Sequence, residues 1–349
     1  MREPLHVLIK RLTELPGPCG HEQAVAAFLR ARWAEAGAEV STTPIGNVVG
    51  RIPGDGPRLM VQAHMDEMSL TVRTITEDGF VHLGPGVRGP GVGILPEAVN
   101  RTAHILTADG PVEGVFARAT GHLRSAAGGR LDGGITSFDE VFVDLALPDR
   151  RSVLDKGVHI GSPVIYRAET RLMGDHLIGK AFDDRLGLAL MTALAERLAG
   201  TSPTREIVLV ATVQEENGAV GAASLRHDLG SFQEAIALEV GPAGDFPGMP
   251  ADAREIALGH GPVVVHSDTA THYDPGLTRA LLELAGREGI PVQHAAFASF
   301  GTDGAQLTMQ GIPTVLLTVP TRYTHSPYET VHLDDVSTAL DLLVAACTR

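Results

Sequence analysis

Five short runs of this chain carry acids or imidazoles in arrangements that could share one ligand. His64 and Asp66 stand in "QAHMDE", Asp183 and Asp184 in "GKAFDDRLG", Glu215 and Glu216 in "TVQEEN", Glu239 in "AIALEV", and His325 in "YTHSPYE". Carboxylate oxygens and imidazole nitrogens together make the ligand set of zinc, cobalt or manganese. A thiolate site is not expected. Against 15 histidines there are 2 cysteines, Cys19 and Cys347, at opposite ends of the chain and without a CxxC pair. That pattern supports neither a cysteine zinc site nor a disulfide framework. Each run alone also has a plainer reading, as a helix cap, a solvated strand end or a hydrogen-bonded loop histidine. Together they favour a cation, because like charges gathered on one rim repel unless something neutralises them.

One stretch offers a competing chemistry. Gly174, Gly179 and Lys180 have the spacing of a phosphate-cradling loop. Such a loop needs a Ser or Thr after the lysine to hold magnesium, and this chain has Ala181. The four intervening residues, Asp-His-Leu-Ile, also lack the glycines that let a backbone wrap phosphates. The nucleotide reading leaves the other acid and histidine runs unexplained, and metal is preferred.

The elements that must position these residues can be read from apolar periodicity. Leu5, Leu8, Ile9 and Leu12 fall at helical spacing, as do Val25, Phe28, Leu29 and Trp33. From about residue 166, short apolar strands alternate with amphipathic helices, which predicts a mostly parallel α/β sheet flanked by helices on both faces. Residues 69–165 differ. Runs such as "LTVRTIT", "AHILTA" and "EVFVDLAL" are separated by Gly/Pro turns, among them "GPGVRGPGVGILP" and "TADGPVEG". These predict a small all-β domain inserted between 1–68 and 166–349. Each acid or histidine run lies at the end of an apolar strand or opens the helix after it. In open α/β sheets, that rim is where ligands bind.

Composition narrows the partners. A net charge of −14 and a pI near 5.5 argue against nucleic acid, which calls for a basic face. No apolar run approaches 18 residues, and the N-terminus lacks the pattern of a secretion signal. A cytoplasmic protein without a membrane span is expected.

In this order, "AHMDE", "GKAFDDRLG", "QEE", "ALEV" and "YTHSPYE" resemble the M42 family of dinuclear-metal aminopeptidases, of the glutamyl/deblocking and TET type. The resemblance covers nearly the whole chain. It implies a zinc-peptidase-like catalytic domain, an inserted barrel-like domain used for assembly, and a homo-oligomer built from dimers, commonly a dodecamer. It also implies short peptides as substrates and two divalent metal ions per subunit, zinc first, with cobalt or manganese as alternatives. Carried over by position, His64, Asp183 and Glu239 hold one ion, while Asp183, Glu216 and His325 hold the other. Glu215 is then the general base, and Asp66 orients His64. Asp184 would support the turn and Arg185 the helix.

Glu239 departs from the pattern, since the family usually has Asp there. Alternatives on the same scaffold stay open: an N-acyl amino acid deacylase, a carboxypeptidase, a glycosidase, or an assembly protein with a decayed site. The loop "SFGTDGAQ", residues 299–306, reads equally as a substrate-pocket wall or an ordinary turn. The remaining histidines, including His266 and His272, read as structural or surface residues.

Overall fold

The computed structural model describes residues 2–87, 94–126 and 134–348. Residues 88–93, in the middle of the Gly/Pro turn expected over 84–96, lie outside them. The strands in chain order are β1 (Glu39–Thr42), β2 (Val48–Ile52), β3 (Leu59–His64), β4 (Leu70–Ile75), β5 (Val81–Pro85) and β6 (Thr102–Thr107). They continue with β7 (Gly110–Ala117), β8 (Phe142–Asp144), β9 (Pro163–Tyr166), β10 (Arg171–Met173), β11 (His176–Gly179) and β12 (Ile207–Thr212). The last five are β13 (Glu234–Pro242), β14 (Val263–Ser267), β15 (Gln293–Ala296), β16 (Thr314–Thr321) and β17 (Glu329–His332). Two compact units result. One comprises Met1–Glu67, Glu169–Thr324 and Tyr328–Arg349; the other comprises Met68–Ala168 with His325–Pro327.

The first unit is built on an eight-stranded sheet in the order β1-β2-β12-β3-β13-β16-β14-β15. Its central strands β12, β3, β13 and β16 run parallel. β2 pairs antiparallel with β12, and β14 pairs antiparallel with β16, so the sheet is mixed towards its edges. β3 is buried along its whole length, and its alternate residues serve two cores. Leu59, Val61 and Ala63 join the core that includes the long helix Phe182–Leu198 and the N-terminal helices, whereas Met60 joins the core on the opposite face. Burial on both faces is what makes these strands read as continuous apolar runs.

The N-terminal helix Gln23–Glu35 closes one side of the larger core through Trp33, which is fully buried and donates from Nε1 to Thr192 Oγ1 at 3.1 Å. Its ring lies so close to β2 that a Cβ at Gly50 would sit 2.8 Å from Trp33 Cε3. Only glycine leaves that room.

The second unit holds the closed barrel β4-β5-β8-β7-β6-β9. Its interior is filled by alternate strand residues, including Val72, Leu83, Ile105, Phe116, Val143 and Val164. Closing the sheet removes the unpaired edges that a small β unit would otherwise expose.

The stretch once open to a phosphate-loop reading is a hairpin. Arg171–Met173 pairs with His176–Gly179, Gly174 turns the tip with φ +61°, and β11 pairs on with β17. The strand expected before it, "PVIYRAET", is strand only over Pro163–Tyr166 and belongs to the barrel.

Substituting Gly50→Ala should lower the unfolding free energy by about 1–3 kcal/mol, the range for overpacking a tight core. Chemical denaturation checks this, and an unchanged midpoint would show slack beside Trp33.

Candidate metal centre

The site residues of the first unit follow from strand alternation. On β3, Met60, Gln62 and His64 share one face; on β13, Ala235, Ala237 and Glu239 share it, and His64 sits level with Glu239 in the parallel register begun by Leu59 and Glu234. Both strands therefore deliver a ligand-type side chain at the same height, at their carboxyl ends.

His64 is almost fully buried among acids. Its Nε2 lies 2.8 Å from Asp183 Oδ1 and 3.6 Å from Glu239 Oε2, and its Nδ1 lies 3.3 Å from Asp66 Oδ1. Burial pulls the imidazole down, but Glu239, Asp183 and Asp66 outweigh it and hold His64 well above its ordinary range. The Glu239 carboxyl is raised well above its ordinary value by burial and by the neighbouring charges of Asp183 and Asp184. Burial raises Glu215 in the same direction, helped by Asp303, Glu216 and Asp66.

Asp66 does more than face His64. Its Oδ1 accepts from the Glu215 amide at 2.9 Å and its Oδ2 from the Glu216 amide at 3.0 Å. One carboxylate thus ties the imidazole on β3 to the turn after β12 that carries both glutamates. Sequence reasoning had no signal for these two amide bonds, because nothing in residue spacing shows where a backbone N–H points.

The segment around Asp183 is irregular. Ala181 is left-handed with φ +55°, the Asp183–Asp184 peptide is cis, and both acids have non-helical dihedral angles, so regular helix begins after them. The Asp183 amide donates to Glu329 Oε2 at 3.2 Å. Asp184, fully buried, accepts from the Gly187 amide at 3.0 Å, and a Cβ at Gly187 would meet Asp184 Oδ2 at 2.4 Å. Asp184 therefore supports the turn, as expected. Arg185 does something else. Its Nη1 donates to the carbonyls of Leu12 at 2.6 Å and Leu15 at 3.1 Å, so it caps the first helix, Leu5–Glu14, rather than its own. Lys180, the lysine of the discarded phosphate motif, is buried in an ion pair with Glu67, whose other oxygen accepts from the Gly17 amide.

Two further polar groups escaped the sequence reading. Asp303 in the 299–306 loop is buried beneath the strand ends, where its Oδ2 accepts from Gln62 Nε2 at 2.6 Å and meets the Thr212 hydroxyl. Burial raises it to about 7. Glu329 stands at the end of a run already singled out for His325. The only available signal was a polar residue (Gln62, Thr212) on an otherwise apolar strand face.

Three groups of side chains among the described residues bring ligand atoms within 4.8 Å of one another. They are His64, Asp183 and Glu239; Asp183, Glu216 and His325; and Cys19, Glu22 and Asp66. The first two share Asp183 and are made of imidazole and carboxylate, the donor set of a borderline divalent ion. In the third, Glu22 accepts from the amides of Gly20 and Gln214, and both Asp66 oxygens are taken by the amides above. The first group fits a cation best, since Asp183 and Glu239 converge on a single imidazole. His266 and His272 belong to none of these groups. His266 stacks on His294, with ring centroids 5.3 Å apart.

A mixed α/β sheet with imidazole and carboxylate groups at its strand ends defines a metal-dependent peptidase. The chain belongs to the M42 glutamyl aminopeptidase family, which it matches over residues 46–342. It is 31% identical to the lysyl aminopeptidase of Pyrococcus furiosus, over 97% of this chain and 95% of that protein. Aminopeptidase APDkam598 of the archaeon Desulfurococcus kamchatkensis has the same fold, with a TM-score of 0.91 at 28% identity over 99% of this chain and 94% of that one. The TET1 peptidase of Pyrococcus horikoshii, which can assemble into a tetrahedron or a large octahedral shell, matches with a TM-score of 0.87 at 25% identity over 99% of this chain and 100% of that one. The chain is a metal-dependent aminopeptidase.

Lys180→Met should lower stability by about 3 kcal/mol, because it leaves the buried Glu67 carboxylate only the Gly17 amide and the longer contact with Arg185 at 3.6 Å. Denaturant unfolding measures this; a loss below about 1 kcal/mol would mean that the pair with Glu67 does not hold the segment.

Proposed function

We propose that two divalent ions work in this centre, zinc by preference, with cobalt or manganese able to replace it. His64, Asp183 and Glu239 hold one ion, and Asp183, Glu216 and His325 hold the other. The observation that carries this reading is that Asp183 offers ligand atoms within 4.8 Å of both pairs of partners. When bound, such a pair of ions supplies Lewis-acid chemistry, lowering the pKa of a water towards neutrality and polarising a carbonyl.

The chain's own groups do the rest. Glu215 takes the proton of the attacking water and passes it to the leaving amine. Asp66 faces His64 Nδ1 at 3.3 Å and orients that imidazole, and through the two amide bonds it fixes the backbone that carries Glu215 and Glu216. Glu239, longer by one methylene than the family's usual Asp, keeps oxygen ligation while altering metal preference. The substrates are short peptides with a free amine.

The chain assembles as a homo-oligomer built from dimers, a dodecamer by analogy with the TET1 peptidase, and residues 69–165 form the assembly domain. Among the described residues no helix is long and apolar enough to cross a membrane, and both cysteines are free thiols. We place the protein in the cytoplasm on the thiols.

Glu215→Gln should cut kcat by about 100-fold or more while elemental analysis still finds two ions per chain. Retained turnover would refute the base assignment. His64→Ala should instead lose bound metal together with activity, and full metal content in that variant would refute its role as a ligand.

A further inference from the structure

At the carboxyl end of β13 lies a cavity of about 540 Å³. That is within the size range of small-molecule sites. The residues that line it come from the ends of β13, β15 and β16 and from the segments that follow them, all within the first unit. Its walls are more apolar than polar, with Glu255, His294, Thr321 and Thr324 set among apolar residues. Phe246 and Tyr323 stand with ring centroids 5.1 Å apart, Phe297 is the third lining phenyl or phenol ring, and Met249 and Ile256 add aliphatic surface.

Strand geometry joins this cavity to the candidate centre. Glu239 and Gly241 project on the same face of β13, one two-residue repeat apart, or about 7 Å. A Cβ at Gly241 would meet Thr318 Oγ1 at 2.4 Å and come within 3.8 Å of the Phe297 ring. The glycine lets the aromatic wall approach to within one repeat of the glutamate.

Charge decides what the cavity can accept. Among the described lining residues none is Lys or Arg, and the only carboxylate is Glu255, which is exposed. Two guanidiniums adjoin lining residues in sequence: Arg322 is engaged with Asp245 through Nε at 2.6 Å, and Arg254 is exposed and does not line the cavity. The lining carries one imidazole, His294, whose Nδ1 meets His266 Nε2 at 3.0 Å. A carboxylate side chain entering the cavity would lose water and find no lysine or arginine in its walls, which is unfavourable. An ammonium would find only a solvent-screened acid. A large apolar side chain gains from burial against the rings of Phe246, Phe297 and Tyr323.

We propose that this cavity receives the side chain of the substrate's N-terminal residue and selects large uncharged apolar ones: leucine, methionine or phenylalanine. The inference rests on the aminopeptidase site described above and adds its substrate class.

The test uses the metal-reconstituted full-length protein with a panel of dipeptides that vary at the first or second residue. Leucyl, methionyl and phenylalanyl substrates should exceed alanyl in kcat/KM by about tenfold or more, the worth of extra methylenes in an apolar pocket. Glutamyl substrates should be poorest. Ala296, exposed and lining the cavity, offers a way to fill it without disturbing the core. Ala296→Trp should lower kcat/KM for the phenylalanyl substrate at least about tenfold more than for the alanyl one. Ala296→Arg should raise turnover of the glutamyl substrate. Calorimetry should show L-phenylalanine binding to the wild type, weaker binding to Ala296→Trp, and none of L-glutamate to either.

Turnover that favours glutamyl or lysyl substrates, discrimination only at the second residue, or an Ala296→Trp loss equal for all substrates would overturn the pocket assignment while leaving an active aminopeptidase. No cleavage of any free-amine peptide with zinc, cobalt or manganese would overturn the site reading itself, and the pocket with it.

Discussion

An ionised carboxylate taken out of water without a counter-charge costs several kcal/mol. This chain buries Asp66, Asp183, Asp184, Glu239 and Asp303 at one end of one sheet. The fold meets that cost in three ways. Asp66 and Asp184 are met by backbone amides, those of Glu215 and Glu216 in one case and of Gly187 in the other. Asp303 is served by Gln62 and Thr212 and has its proton affinity pushed up to about 7 by burial. Asp183 and Glu239 converge on one imidazole, and Glu239 also accepts from the Val240 amide at 2.9 Å.

The same constraint explains the irregular backbone nearby. A regular helix beginning at Asp183 would direct its first side chains around a cylinder. Instead Ala181 is left-handed, and Asp183 and Asp184 leave helical geometry before the helix settles into its regular course. Arg185 then anchors the segment to the end of the first helix, and Lys180 anchors it to Glu67 at the end of β3. The lysine that imitated a phosphate loop is a buried counter-charge, three residues before Asp183.

How much of this was legible in the sequence depended on the kind of physics involved. His64, Glu216 and Glu239 stood out as candidates because strand periodicity is a strong local signal and a polar group ending an apolar run breaks it, and Asp183 stood out as one of two acids opening a helix. The barrel showed itself through short β-branched runs and Gly/Pro turns, with residues such as Val72 and Leu83 alternating inward. What stayed hidden were long-range polar contacts. The Asp66 bonds to the amides of Glu215 and Glu216 span about 150 positions of chain, and the contact of Asp303 with Gln62 spans 241. Arg185 looked like a helix residue because its partners, the carbonyls of Leu12 and Leu15, carry no sequence signature. The hairpin at Gly174 was masked by a spacing that coincides with a nucleotide motif.

The central claim is that Asp183 stands between two ions. Anomalous diffraction from crystals of the zinc-loaded protein tests it most directly. Two peaks per chain roughly 3.5 to 4 Å apart, with one Asp183 oxygen directed to each, is the result this account predicts. A single peak held by His64 and Glu239, or two peaks with Asp183 bound to neither, would contradict it.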